Sequence, residues 1–361
     1  NNVAVGFEAL SANCGSGEVA VGCRALKVSV GENNTAVGLN ALTANTTGHS
    51  NVAVGMHALD SNTTANDNTA LGREALQANT TGASNTAVGW SALYANTTAS
   101  ENTSVGYFSL GANTTGSQNV AVGYDALKAN TTGSNTTAIG REALKAQTTG
   151  GNNTAVGRTA GMAITTGVQN VCLGDSAGDA ITTGSENIII GYTAAASAVD
   201  STNQIVMGRG VTGNANTSFC FGEDANDSAI AFGATSITAP SDLRLKEDIQ
   251  EEKVGLNFVN DLRPVTFRWK KAKDVPAELK AHVPDSEKRV MNGKDNHGFI
   301  AQEVKEVIDR YPDIKEGFDM WTEDDVDGRQ RIGESALIPI MVKAVQELSA
   351  QLDELKSKLG D

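Results

Sequence analysis

The chain has 361 residues, and 28 Lys and Arg against 42 Asp and Glu give it a formal net charge of −14. Phosphate binding needs a basic face, so nucleic acid is excluded as a main partner. No apolar run approaches the ~20 residues that span a bilayer, so membrane insertion is excluded too.

From the N-terminus onward the dominant feature is a repeat. The chain opens inside one, at Asn1, and reads as a piece of a longer protein. A tetrapeptide of the form Ala-Val-Gly-Xaa recurs with its glycine at positions 6, 22, 38, 55, 72, 89, 106, 123, 140, 157, 174, 191 and 208. The first two steps are 16 residues and the next ten are 17. A composition of Asn, Thr, Ala and Gly can mean disorder, but a strict period with regular aliphatic positions argues for order. Each repeat is one coil that cannot bury its apolar face alone, so coils must stack into a rod.

Within one repeat, Asn85 to Gly89 (N-T-A-V-G) predicts a short strand, with Thr86 and Val88 on one face and Ala87 on the other. The aliphatic residue before each glycine (Val37, Val54, Leu71, Val88) is expected inside the coil. Ala-Leu, as at Ala75-Leu76, is read as a second strand, and Asn-Thr-Thr-Gly, as at Asn79 to Gly82, as a turn. Asn-Thr-Thr also fits the N-glycosylation acceptor pattern, but repetition of the turn explains it without a sugar. The alanines two before glycine (Ala36, Ala53, Ala70, Ala87) are expected to contact neighbouring chains across a shared axis. The fold class expected for residues 1–210 is therefore a mainly β rod, a parallel β-roll or β-helix shared between chains. These repeats resemble the β-roll heads of trimeric autotransporter adhesins, and still more the repeat shafts of phage tail-fibre proteins.

Cys14, Cys23, Cys172 and Cys220 lack the paired spacing of a zinc site and are read as structural. After Gly208 the period breaks and Phe219, Phe221 and Phe232 appear, so residues 211–240 are expected to cap the rod. Charge density then changes. Residues 1–240 carry 8 Lys and Arg with 16 Asp and Glu, and residues 241–361 carry 20 and 26. This step places a domain boundary near Pro240, with a small α+β domain at 241–361.

That domain begins Ser241-Asp242-Leu243-Arg244-Leu245-Lys246. A hydroxyl and an amine five residues apart could act as nucleophile and base, provided the lysine is made neutral. Alone, such a spacing arises by chance. Three further segments follow in order: Leu262 to Lys270 (L-R-P-V-T-F-R-W-K), His297 to Val304 (H-G-F-I-A-Q-E-V) and Leu337 to Leu348 (L-I-P … A-V-Q-E-L). Together these resemble the intramolecular chaperone domain of phage endosialidases and tail fibres, shared with the myelin regulatory factor. The resemblance implies a domain that helps the preceding rod to trimerise and fold, then cuts itself off at the serine. Carried over, Ser241 is the nucleophile and Lys246 the base of a single-turnover serine endopeptidase without an external substrate. Asp242, Arg244 and His297 are supporting candidates. Pro240–Ser241 is the favoured scissile bond and Ser241–Asp242 the runner-up.

The chain end supports association independently. Ile338, Met341, Val345, Leu348, Leu352, Leu355 and Leu359 are spaced 3, 4, 3, 4, 3, 4, the seam of a coiled coil over 337–359. Glu323 to Glu334 comes near a calcium loop, but its first position is Glu, its eighth Gln330, and no clear helix enters it. No metal or cofactor is expected. The function expected is a homotrimeric virion tail-fibre shaft for host attachment, meeting a cell-surface receptor or glycan. The alternative is a bacterial surface adhesin with the same chaperone. A glycosidase is disfavoured, because the repeats offer no paired carboxylates.

Overall fold

The computed structural model describes every residue except 13, 235–236, 238–240, 242, 316–317, 324–327 and 360–361. The chain divides into two units, Asn1–Asp242 and Leu243–Asp361.

The first unit is a β-solenoid of about 13 turns. Each coil contributes one three-residue strand, such as Thr69–Leu71 and Thr86–Val88, paired in parallel and in register with the next. Strand follows strand in chain order through Ile205–Arg209 to Ser218–Glu223, and the final strand, Asn226–Ala231, pairs antiparallel and ends the stack. The period needs glycine because coils touch there. Gly72 has φ +138°, and a Cβ on it would lie 2.5 Å from the Gly89 carbonyl oxygen.

Three sequence expectations are corrected. The strand faces are inverted: Ala70 and Ala87 are fully buried within the coil, whereas Leu71 is 47% exposed and Val88 half-buried. A coil this thin has room only for a methyl group on its inner strand face. The same burial removes Ala36, Ala53, Ala70 and Ala87 from any contact between chains. The third correction concerns Ala-Leu, which forms a turn and not a second strand. Glu74 and Leu76 sit at φ +60° and +52°. Left-handed backbone costs roughly 1–2 kcal/mol for such a residue. Burying leucine returns about 1.5–3 kcal/mol, and Leu76 is fully buried while its N–H donates to the Ala92 carbonyl at 3.0 Å. The core is thus leucine from the turn against alanine from the strand.

Two ladders of buried asparagine complete the interior. In the first, the Asn85 backbone N–H donates to Asn68 Oδ1 at 2.9 Å, and its Nδ2 donates to that oxygen at 3.1 Å and to the Ala99 carbonyl at 2.9 Å. In the second, Asn79 Nδ2 donates to Asn62 Oδ1 at 3.0 Å and to the Gly82 carbonyl at 2.9 Å. The second ladder holds the asparagines that open the closing turns, such as Asn79; Asn135, also followed by two threonines, is exposed and lies outside it. Asn45, Asn62, Asn79, Asn96, Asn113 and Asn130 are all fully buried, which leaves no room for a sugar. Cys172 is buried among these coils, and burial, with a smaller push from Asp179, raises its thiol to about 12, so it is inert.

Near the N-terminus the first ladder holds a carboxyl. Glu18 is fully buried, accepts from Asn34 Nδ2 at 2.9 Å through Oε1, and has no partner for Oε2. Burial, reinforced by the Glu32 charge, holds its pKa above the ordinary 4.5, against the hydrogen bonds of Asn34. The folded state therefore keeps the proton better than the unfolded chain. The stability Glu18 contributes is complete below 4.5 and falls as pH rises through the elevated folded value. Glu18→Gln removes the charge that burial disfavours while keeping the Oε1 acceptor for Asn34. It is expected to slow amide exchange around residues 18–35 at neutral pH by roughly tenfold, with no difference well below 4.5. Faster exchange in the variant at neutral pH would contradict this account.

Candidate functional site

In the second unit, Val254, Phe258, Leu262, Val304, Ile308, Met320, Leu337 and Ile340 form one buried core. Phe258, on helix α1 (Leu256–Asp261), is fully buried and meets Tyr311 and Phe318 edge-on. Helix α2 (Ala301–Ile308) presents Val304, Val307 and Ile308 to the core. Helix α3 (Leu337–Leu359) presents Leu337, Ile340 and Ala344.

The sequence motifs converge on this core. Val265–Phe267 of the second motif pairs antiparallel with Asn296–Gly298, which enters the third motif, so that Thr266 lies opposite His297. Arg263 ties the same two motifs together by donating Nε–H to Glu303 Oε2 at 2.9 Å. The pair raises the Arg263 pKa and lowers that of Glu303. In the fourth motif, Glu347 Oε2 accepts the Leu256 N–H at 2.8 Å and so caps the start of α1. Sequence reading missed Arg263, Glu303 and Glu347 as individuals. All three lie inside the motifs, but their partners are 40 and 91 residues away.

Ser241 is the last residue but one of the first unit and is exposed. Arg244 lies in the 3-10 turn Leu243–Leu245, which the Lys246 N–H closes by donating to the Leu243 carbonyl at 3.2 Å. Arg244 and Lys246 are exposed as well. Pro240 and Asp242, also part of the expected cleavage site, lie outside the described residues. His297 is exposed on its strand. It lines a cavity of about 470 Å³ with Pro264, Val265, Thr266, Gly298, Phe299 and Glu334. Asp295 beside this strand is held below the usual carboxylate range, mainly by Arg268 and to a lesser degree by His297. Four residues of the calcium-like segment, 324–327, lie outside the described residues; Trp321–Glu323 and Gln330–Ile332 flank them as an antiparallel pair.

Helix α3 has two apolar faces. One packs inward through Leu337, Ile340 and Ala344. The other carries the predicted seam, from Ile338 at 60% exposed through Leu348 at 55% to Leu359 at 75%. Among the described residues no helix is long and apolar enough to cross a membrane.

Comparison with known proteins gives one family. Residues 241–314 match the model of the peptidase family described as chaperone of endosialidase, and the match begins at Ser241. That family consists of self-cleaving intramolecular chaperones. Such a segment behind a β-solenoid rod fits the tail-fibre type of protein. No curated protein and no solved structure matches the chain.

Proposed function

We propose that this chain is one subunit of a homotrimeric tail-fibre shaft whose C-terminal domain aligns three chains, promotes folding of the rod, and then removes itself by cleavage at Ser241. The observation that carries the reading is the exposed seam of α3, attached to a segment similar to an intramolecular chaperone. A helix that hides one apolar face in its own domain and leaves a heptad stripe in water is built for a coiled coil. The seam mixes Ile, Val, Met and Leu and does not itself choose between two and three strands. The number three rests on the family resemblance.

Along the rod, the outward strand row supplies a surface for the same association. Leu71, Ile139, Val156 and Met207, each at the third strand position, are between 39% and 47% exposed. With the alanines occupied inside each coil, this aliphatic row is where chains would meet around a common axis. Ser241 and Lys246 are exposed in the single chain, which fits cleavage that waits for assembly: a neutral lysine needs desolvation, and neighbouring chains would provide it. The rod would then serve attachment to a host surface.

Light scattering on the purified protein, with intact mass spectrometry of the products, tests the reading. Three chains per particle and a new terminus beside Ser241 are expected. A monomeric or dimeric particle overturns it.

A further inference from the structure

The second asparagine ladder stops partway along the rod, and the manner of its stopping is built. It runs through Asn113 and Asn130 to Gln147, whose Nε2 donates to Asn130 Oδ1 at 3.3 Å. One coil further, the equivalent position is Ile164, fully buried and without a donor. An asparagine at 147 would leave its carbonyl facing that isoleucine in a dry interior. Gln147 is one methylene longer. Its Oε1 turns into the first ladder and accepts from Asn153 Nδ2 at 2.9 Å.

Asn153 is available because its own ladder is altered one coil back. In most other coils this amide donates to an asparagine of the preceding coil, as Asn170 Nδ2 does to Asn153 Oδ1 at 3.2 Å. Below Asn153 the residue is Thr136, which has no carbonyl to offer. Its hydroxyl accepts from Gln147 Nε2 at 3.3 Å and donates to the Ser134 carbonyl at 3.3 Å. Thr136, Gln147 and Asn153 are each no more than 1% exposed, so none can turn to water. Each of the two departures from the repeat answers the other.

Past this point the interior changes type. Gly161 and Gly178 stand where leucine stood, and Ile164 and Ile181 where asparagine stood. A Cβ on Gly161 would lie 2.9 Å from Leu144 Cδ2 and 3.1 Å from Ile164 Cδ1. Isoleucine thus fills from the opposite corner the space that leucine fills in earlier coils.

We propose that Thr136 and Gln147 form a coupled splice in the rod core. The pair ends the second ladder by handing its last carbonyl to the first. One continuous solenoid can then pass from an asparagine–leucine interior to a glycine–isoleucine interior without burying an unpaired side-chain carboxamide. The splice also makes this coil unlike its neighbours, so coils on its two sides are not interchangeable, a safeguard against mis-stacking in a chain of near-identical repeats.

Amide exchange of the full-length protein, read by mass spectrometry, tests the coupling. Gln147→Asn strands a carbonyl against Ile164 and removes the acceptor of Asn153. Exchange over residues 136–170 should rise roughly tenfold or more, while residues 79–102 stay unchanged. Thr136→Asn should act with opposite sign in two backgrounds. In the wild type it adds a carboxamide where Gln147 already serves and speeds exchange. In Gln147→Asn it restores the acceptor for Asn153 and recovers part of the lost protection. Equal factors in the same direction in both backgrounds, or wild-type exchange in Gln147→Asn, overturn the proposal. If Gln147→Asn yields no soluble rod, the double variant decides: soluble rod supports the coupling, and equal insolubility refutes it.

Discussion

A gene ending at Pro240 is expected to give aggregated rod in place of soluble, protease-resistant assembly. The truncated chain keeps every coil, every ladder and the closing antiparallel strand, so the expected failure is one of assembly. The outward row around Leu71, Ile139 and Val156 is left partly exposed along the rod. Near-identical coils also let chains meet one or more repeats out of step, and out-of-step contacts bury almost as much apolar surface as correct ones. A module that associates first sets the register and makes later contacts intramolecular, a gain of about 10²- to 10⁴-fold in effective affinity. Once folded, the rod should no longer need it, because opening would have to break many coils together. Removing residues 241–361 by cleavage after folding should therefore leave the rod intact. Light scattering and protease digestion of the two preparations provide the comparison. Soluble trimer from the truncated gene would end the chaperone reading.

The period of the glycines revealed the solenoid and its parallel stacking, because a fixed step of 17 residues is a geometric statement about coils. It did not reveal which face of each strand lies inside. Alternation assigns Thr86 and Val88 to one side and Ala87 to the other, and hydrophobicity alone then favours valine for the core. The coil is too thin for that choice. The leucines that fill it come from residues with positive φ, such as Leu76, and a left-handed leucine has no sequence signature. The asparagine ladders were legible only as turn chemistry, since their partners lie 17 residues away in the next coil. In the second unit, the exposed apolar stripe of α3 was legible from spacing. The cap that Glu347 places on α1 was not, because nothing local marks a contact across 91 residues.

Ser241→Ala is expected to abolish release of the C-terminal domain while leaving the assembled particle whole. In the favoured path the Ser241 hydroxyl attacks the carbonyl of residue 240 through a small ring. The peptide bond becomes an ester, the Ser241 amine is freed, and water then hydrolyses the ester to restore the hydroxyl. In this path Lys246 would take the hydroxyl proton and return it to the departing amine, which requires the lysine to be neutral when the reaction begins. Ser241 is exposed, so loss of one oxygen should cost no packing. The cleavage rate should nevertheless fall by roughly 10³-fold or more, as when an essential nucleophile is removed. Lys246→Ala should stop cleavage as well, and Lys246→Arg should not rescue it, because a guanidinium stays protonated. Denaturing mass spectrometry distinguishes the outcomes. Wild type should yield pieces spanning residues 1–240 and 241–361, and each variant a single intact chain. Cleavage one bond later would instead leave Ser241 on the rod and give pieces spanning residues 1–241 and 242–361. If the Ser241→Ala protein still separates at this boundary, the hydroxyl is not the nucleophile and an external protease is the agent.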